Sequence, residues 1–165
     1  MDYISQNLDM EILAKTDVGQ KRSRNEDNFI QLAKSKSIGE IDAVLGVADG
    51  MGGHAAGDVA SRIAAETFEE VFSSTDIGHR HIKDLLKDTF SMANEKIVKR
   101  GKASPEGSMG TTCTVAIFIA GECHIGHVGD SRAYLMRDGD LKQLTDDHSW
   151  VAQLVKDGHI TNEQA

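Results

Sequence analysis

Three acidic clusters stand where strand-like runs give way to glycine, asparagine or serine: Glu26-Asp27, Asp49-Gly50 and Asp130-Ser131. Hard carboxylate oxygens at turn positions suit Mg²⁺ or Mn²⁺ rather than zinc. The sharpest is Asp49, which ends the apolar run Val44-Leu45-Gly46-Val47-Ala48 and is followed by Gly50-Met51-Gly52-Gly53-His54. Dragging even a neutral polar group inward without a partner costs roughly 1–3 kcal/mol, and a charge costs more. The bare backbone at Gly50, Gly52 and Gly53 can approach a ligand closely. Asp49 is therefore the first candidate metal ligand. Asp-Gly pairs also mark turns: Asp138-Gly139 reads as a turn and nothing more, and Asp130 taken alone would read the same way. The combination carries the signal.

Other chemistries find little support. The chain has no zinc-spaced ligand set, no glycine-lysine phosphate loop, no Gly-x-Ser-x-Gly elbow and no dinucleotide fingerprint. His124 and His127 lie three apart on a predicted strand, which turns them to opposite faces.

The elements that must hold these residues can be read from periodicity. Glu11 to Thr16 is expected as a strand, broken by Asp17-Val18-Gly19-Gln20, with a charged loop from Lys21 to Asp27. Asn28 to Ala33 resumes a strand, Lys34 to Glu40 turns, and Ile41 to Ala48 is apolar enough for a strand covered on both faces. Val59, Ile63, Thr67, Val71 and Phe72 fall on one helix face, with Ala60, Ala64 and Phe68 beside it. Ser73 to Gly78 is a linker. Ile82, Leu85, Leu86, Thr89, Ala93 and Ile97 define a second helix, closed by Lys99-Arg100-Gly101. Ser104 to Gly110 forms a loop. Thr111 to Ile119 and Cys123 to Val128 are strands. Ser131 to Met136 and Leu141 to Leu144 form a hairpin around Asp138-Gly139, and His148 to Lys156 is a short helix. Two consecutive helices between sheet segments give an α+β layered domain rather than a doubly wound one.

The 165 residues suit one domain, and 39% hydrophobic with 27% charged residues is ordinary for a globular core. The net charge of −8, from 18 basic and 26 acidic residues, argues against nucleic acid or an anionic membrane as the main partner. No stretch is long and apolar enough to span a bilayer, and Met1-Asp2-Tyr3 does not open a signal peptide. Cys113 and Cys123 read as two buried thiols on neighbouring strands rather than as a disulfide. These features together predict a cytoplasmic protein.

The order of motifs adds to this reading. Thr16-Asp17-Val18-Gly19, Arg22-Ser23-Arg24-Asn25-Glu26-Asp27-Asn28, Asp49-Gly50-Met51-Gly52-Gly53-His54, Gly110-Thr111-Thr112 and Val128-Gly129-Asp130-Ser131-Arg132 occur in sequence. From about Met10 to Gly158 the chain resembles the bacterial metal-dependent protein phosphatases (PPM, or protein phosphatase 2C, family). The resemblance implies a four-layer α-β-β-α sandwich of two antiparallel sheets flanked by helices, with residues 1–165 as a single, C-terminally incomplete domain. It implies hydrolysis of phosphoserine and phosphothreonine in proteins by a water bridging two Mn²⁺ or Mg²⁺ ions.

Carried over by position, Asp49 would bridge both metals and Gly50 would offer its carbonyl, with Glu26 and Asp27 as further metal residues. Arg22 would grip the phosphate, and Asp130 matches the residue linked to a third metal. Met51 stands where eukaryotic relatives often have a histidine, so His54 is the nearby candidate for general acid. The aspartates of the later Asp-Gly and Asp-Asn motifs have no counterpart within these residues, which end as the flap segment begins. An incomplete, weakly active piece is therefore expected, with a phosphorylated protein as substrate, a cognate Ser/Thr kinase and self-association through exposed sheet edges. A catalytically dead phosphatase-like regulatory module is the alternative. A sheet-rich interaction protein with merely structural acidic turns ranks last, because it leaves Arg22, Glu26, Asp27 and Asp49 unexplained.

Overall fold

In a computed structural model of the chain, the structure describes residues 10–33, 41–52, 56–74, 81–105, 107–149, 154–155, 157–159 and 161. In chain order the elements are β1 (Asp27–Ala33), β2 (Ile41–Gly52), α1 (Ala56–Ser74), α2 (Ile82–Lys102), β3 (Met109–Thr111), β4 (Cys113–Ile119), β5 (Glu122–Val128), β6 (Tyr134–Arg137) and β7 (Asp140–Gln143). All pairings are antiparallel. One sheet runs β1-β2-β4-β5, with β3 pairing the far end of β2, and β6-β7 forms a separate hairpin. The α+β class with two antiparallel sheets agrees with the expectation. Among the described residues, no helix is long and apolar enough to cross a membrane.

Strand alternation sorts the side chains into two faces. Ile30, Gly46 and Val115 are cross-strand partners, as are Leu32, Val44 and Ile117. This face packs under the helices with Phe68, Phe72, Leu85 and Leu86 in one core cluster. Phe68 meets Phe90 edge-to-face at 5.0 Å. The opposite face carries Asp27 with Asp49 and Phe29 with Val47. Phe29 and Val47 remain 42% and 48% exposed. β2 is thus packed on one face only among the described residues, not on both as its apolar run suggested.

Several local expectations shift. Glu11 to Thr16 has no ladder partner among the described residues, and Leu13 is 89% exposed, so propensity alone does not make it a strand. The buried stripe of α1 runs through Ala56, Ala60, Ala64, Phe68 and Phe72, one step round from the expected face, and the helix continues into the expected linker as far as Ser74. The strand expected from Thr111 is split at Thr112. There the threonine hydroxyl accepts the Asp49 N–H at 2.9 Å, replacing a main-chain acceptor, while its own N–H donates to the Asp49 carbonyl at 2.9 Å. Cys113 is buried, but Cys123 is exposed because it lies on the open face opposite Phe118. Most of the expected His148–Lys156 helix and the Lys34–Glu40 turn lie outside the described residues.

Candidate metal centre

β1 and β2 are in a register that sets Asp27 directly opposite Asp49 at one end of the sheet. Their carboxyl groups are within hydrogen-bonding reach of each other. Burial first, then the Asp27 charge and hydrogen bond, raise Asp49 above the ordinary carboxylate range; Asp130 adds to the rise and Arg22 opposes it. Two acidic groups held this close favour a shared proton or an intervening cation.

Backbone contacts fix the position of the pair. The Gly50 N–H donates to the Glu26 carbonyl at 3.1 Å, and Thr111 Oγ1 donates to the Asp49 carbonyl at 3.0 Å. A side chain at Gly50 would collide with main chain, because a Cβ there would sit 2.1 Å from the Gly57 carbonyl oxygen and 2.6 Å from that of Glu26. Conversely, a Cβ on Gly57 would sit 2.8 Å from the Gly50 carbonyl oxygen. Only glycine at 57 leaves that oxygen clear. Ser61, fully buried on α1, donates to the Glu26 carbonyl at 2.6 Å and accepts from Asn28 Nδ2 at 2.9 Å.

The preceding loop is held by short polar bonds. Gly19 N–H donates to Asp17 Oδ1 at 2.7 Å, Asn25 Nδ2 to Thr16 Oγ1 at 2.6 Å, and Asp27 N–H to Asn25 Oδ1 at 3.1 Å. Arg22 Nη1 donates to Glu26 Oε2 at 2.9 Å; the arginine side chain is 68% exposed and the glutamate 13%. Two open clefts adjoin at the aspartate pair. One, of about 480 Å³, takes in Arg22, Glu26, Asp27 and Asp49; the other, of about 320 Å³, takes in Lys15, Phe29, Val47 and Ser131 with the same two aspartates.

Asp130 sits in the turn after β5, where Gly129 adopts φ +108°. A Cβ on Gly129 would fall 2.6 Å from Thr112 Cγ2, so the turn closes tightly on the residue that bonds Asp49. Thr112 Oγ1 and Ser131 Oγ share a 2.7 Å hydrogen bond. Arg132 grips Asp147 with Nε and Nη2, at 2.8 and 2.6 Å, and these bonds chiefly hold the Asp147 carboxyl below its usual range.

Asp27, Asp49 and Asp130 therefore gather at one sheet end with the Arg22–Glu26 pair beside them, whereas His54 lies outside the described residues. Among the described residues, no three His, Cys, Asp or Glu side chains are arranged to enclose a metal ion by themselves. The donors still fit a hard divalent cation, since two carboxyl groups are held opposite each other at one sheet end and share a cleft with Glu26. Ser61, Gly57 and Ser131 are supports that sequence reasoning missed. Ser61 was the one legible in principle, as a lone hydroxyl on an apolar helix stripe.

A model of the protein phosphatase 2C family matches residues 14–153. The chain is 37% identical over 154 residues to the serine/threonine phosphatase stp of Listeria monocytogenes, covering 92% of this chain and 60% of that protein. It is 37% identical over 157 residues to the protein phosphatase PhpP of Streptococcus pneumoniae, covering 94% of this chain and 62% of the relative. The fold is similar to that of the S. agalactiae serine/threonine phosphatase, with a TM-score of 0.82 at 35% identity over 91% of this chain and 61% of the other. It is also similar to the catalytic domain of the serine/threonine phosphatase PstP in complex with two manganese ions (TM-score 0.75, 36% identity, 90% and 60% coverage). The chain thus spans about three fifths of the length of the relatives it matches.

Proposed function

The chain belongs to the protein phosphatase 2C family, and from that premise we propose that residues 1–165 form a single unit carrying the Asp49 half of a metal-dependent phosphoserine/phosphothreonine phosphatase centre. The observation that carries the reading is the Asp27–Asp49 carboxyl pair, held opposite each other beside Arg22 and Glu26. Asp49 and Asp27 would hold Mn²⁺ or Mg²⁺, with Glu26 and the Gly50 carbonyl contributing and Asp130 serving a third ion. When bound, such ions supply Lewis acidity and lower the pKa of water from ~15.7 toward ~7.

The chain's own residues do the rest. Arg22 offers a planar guanidinium fork that matches a phosphate dianion better than a point charge would. Its exposure lets it reach outward, and its bond to Glu26 keeps it at the rim. The acidic floor and the cationic rim separate the roles of cation binding and phosphate orientation. Substrate would be a phosphorylated protein supplied by a cognate Ser/Thr kinase, in a cytoplasmic setting.

The test is Mn²⁺ calorimetry on the chain and on Asp49→Asn, with circular dichroism as the control for folding. Binding by the unaltered chain and its loss in a folded variant supports the reading; unchanged Mn²⁺ binding in Asp49→Asn removes it. The second reading is a regulatory module that binds without turnover. Phosphopeptide binding without Mn²⁺-dependent release of phosphate would select it.

A further inference from the structure

On the sheet face that carries Asp49, a chain of hydroxyls leads away from the site to a histidine. Asp49 N–H donates to Thr112 Oγ1, which bonds Ser131 Oγ at 2.7 Å; Thr114 Oγ1 lies 3.0 Å from the Ser131 carbonyl and 2.8 Å from His127 Nδ1. His127 Nε2 lies 3.0 Å from the Asp146 carbonyl. Thr112 and Thr114 are both buried. His127 is opposite Thr114 in the β4–β5 ladder, three residues before Asp130.

The donor rules allow two proton arrangements for these heavy atoms. A carbonyl only accepts, so Nε2 must carry a proton in both. In the neutral ring Nδ1 is then an acceptor, and the Thr114 hydroxyl must donate to it, leaving the Ser131 carbonyl without that bond. In the protonated ring Nδ1–H donates to Thr114 Oγ1, and the hydroxyl is released to donate to Ser131. One proton on His127 thus adds one hydrogen bond to the turn at 129–132. The groups facing the ring are Thr114 from β4, the Asp146 carbonyl, the His148 ring at 4.7 Å between centroids, and the Asp147 carboxylate, itself held by Arg132. His148 N–H also donates to the Gly129 carbonyl at 2.7 Å, and Ala133 N–H donates to Thr145 Oγ1 at 3.1 Å, so the 145–148 segment clamps the same turn.

We infer that His127 is a positioning residue of the metal centre: through Thr114 it holds the 129–132 turn, and with it Asp130 and Ser131, in place against Thr112 and Asp49, and its protonation rotates the Thr114 hydroxyl between Nδ1 and the Ser131 carbonyl. The inference rests on the reading of Asp49 and Asp130 as metal residues.

The test has two arms on the whole chain. Long-range ¹H–¹⁵N spectra from pH 5 to 8.5 follow the His127 ring, and the Arg132 amide reports hydrogen bonding at the preceding Ser131 carbonyl. The neutral ring is expected to keep its proton on Nε2, and the Arg132 shift to follow the same titration curve. That coupling should vanish in Thr114→Val and survive in Thr114→Ser. In the second arm, Mn²⁺ calorimetry should find affinity reduced roughly tenfold in His127→Gln and Thr114→Val, the scale of support-residue losses at metal sites, and near normal in Thr114→Ser. A neutral ring protonated on Nδ1, an Arg132 shift independent of His127, or equal Mn²⁺ affinity in all variants overturns the proposal. An unaltered chain that binds no Mn²⁺ overturns the metal reading and the positioning role with it, and is told apart because the ring–turn coupling persists without metal.

Discussion

Asp27 and Asp49 are direct cross-strand partners, and after burial it is the Asp27 carboxyl that most raises the cost of ionising Asp49. Like charges opposite each other on one sheet face destabilise a strand pair. Asp27→Asn removes the repulsion while keeping shape and hydrogen-bonding capacity. The metal-free variant should melt at a higher temperature than the unaltered chain, yet bind Mn²⁺ at least tenfold more weakly. Differential scanning calorimetry with and without Mn²⁺ checks both halves. A variant that melts lower without metal would mean that Asp27 supports the strand rather than the ion.

The contact between β2 and α1 is a backbone contact, and it leaves no room for a methyl group. A Cβ at Gly57 would press on the Gly50 carbonyl, and one at Gly50 would press harder on that of Gly57. Gly57→Ala should destabilise the fold by about 1–3 kcal/mol, the range for overpacking a close-packed site, and Gly50→Ala by more. Urea titration measures the order. Equal stability of the two variants would show that α1 can slide away from β2.

Much of this was legible in the residues. The apolar run of β2, the α2 periodicity from Ile82 to Ile97 and the Asp138-Gly139 turn follow from local pattern, and both turn residues adopt positive φ as such a hairpin needs, but the strand does not end with the apolar run: β2 continues through Asp49 to Gly52, where it pairs with β3. What local pattern does not contain is pairing. Glu11 to Thr16 has strand composition but no partner among the described residues, and Cys123 has core composition but lies on the open face. The site divides in the same way. The acidic residues announce themselves, whereas Ser61 and Thr112 become supports only once tertiary contacts bring them within 2.6–2.9 Å of the Glu26 carbonyl and the Asp49 amide.

Ser61 satisfies two groups at once, the Glu26 carbonyl and the Asn28 amide, in a fully buried position. Ser61→Ala leaves both without that partner. The expected loss is about 1–3 kcal/mol, the cost of stranding buried polar groups rather than of one exchanged hydrogen bond. Denaturant unfolding of the variant measures it. A loss well under 1 kcal/mol would mean that water replaces the hydroxyl.

Phe29 and Val47 are neighbours on the face of the sheet turned away from the helices, and both are nearly half exposed. An apolar sheet face of this kind favours association. Val47→Lys should shift the chain toward monomer in sedimentation velocity at concentrations where the unaltered chain self-associates. A concentration-independent monomer peak for the unaltered chain would count against the association.

The two cysteines should separate by chemistry as they do by position. Burial pushes the Cys113 thiol up to about 12, whereas Cys123 is exposed, with its thiol raised by partial burial. Because the thiolate is the nucleophile, Cys123 should react with a disulfide reagent at pH 8 and Cys113 only on unfolding. The linkage has a definite sign. The folded pKa of Cys113 lies above its unfolded value of about 9, so its contribution to stability is complete below pH 9 and is lost as pH rises toward 12. The full loss is about 4 kcal/mol at ~1.4 kcal/mol per pH unit. Lysine and tyrosine titrate in the same range, so the measurement is the difference between the unaltered chain and Cys113→Ala in urea midpoint at pH 8 and pH 10.5. The unaltered chain should lose more stability over that interval. Parallel losses would mean that Cys113 ionises without unfolding its surroundings, as it would if water reached the space beneath β4.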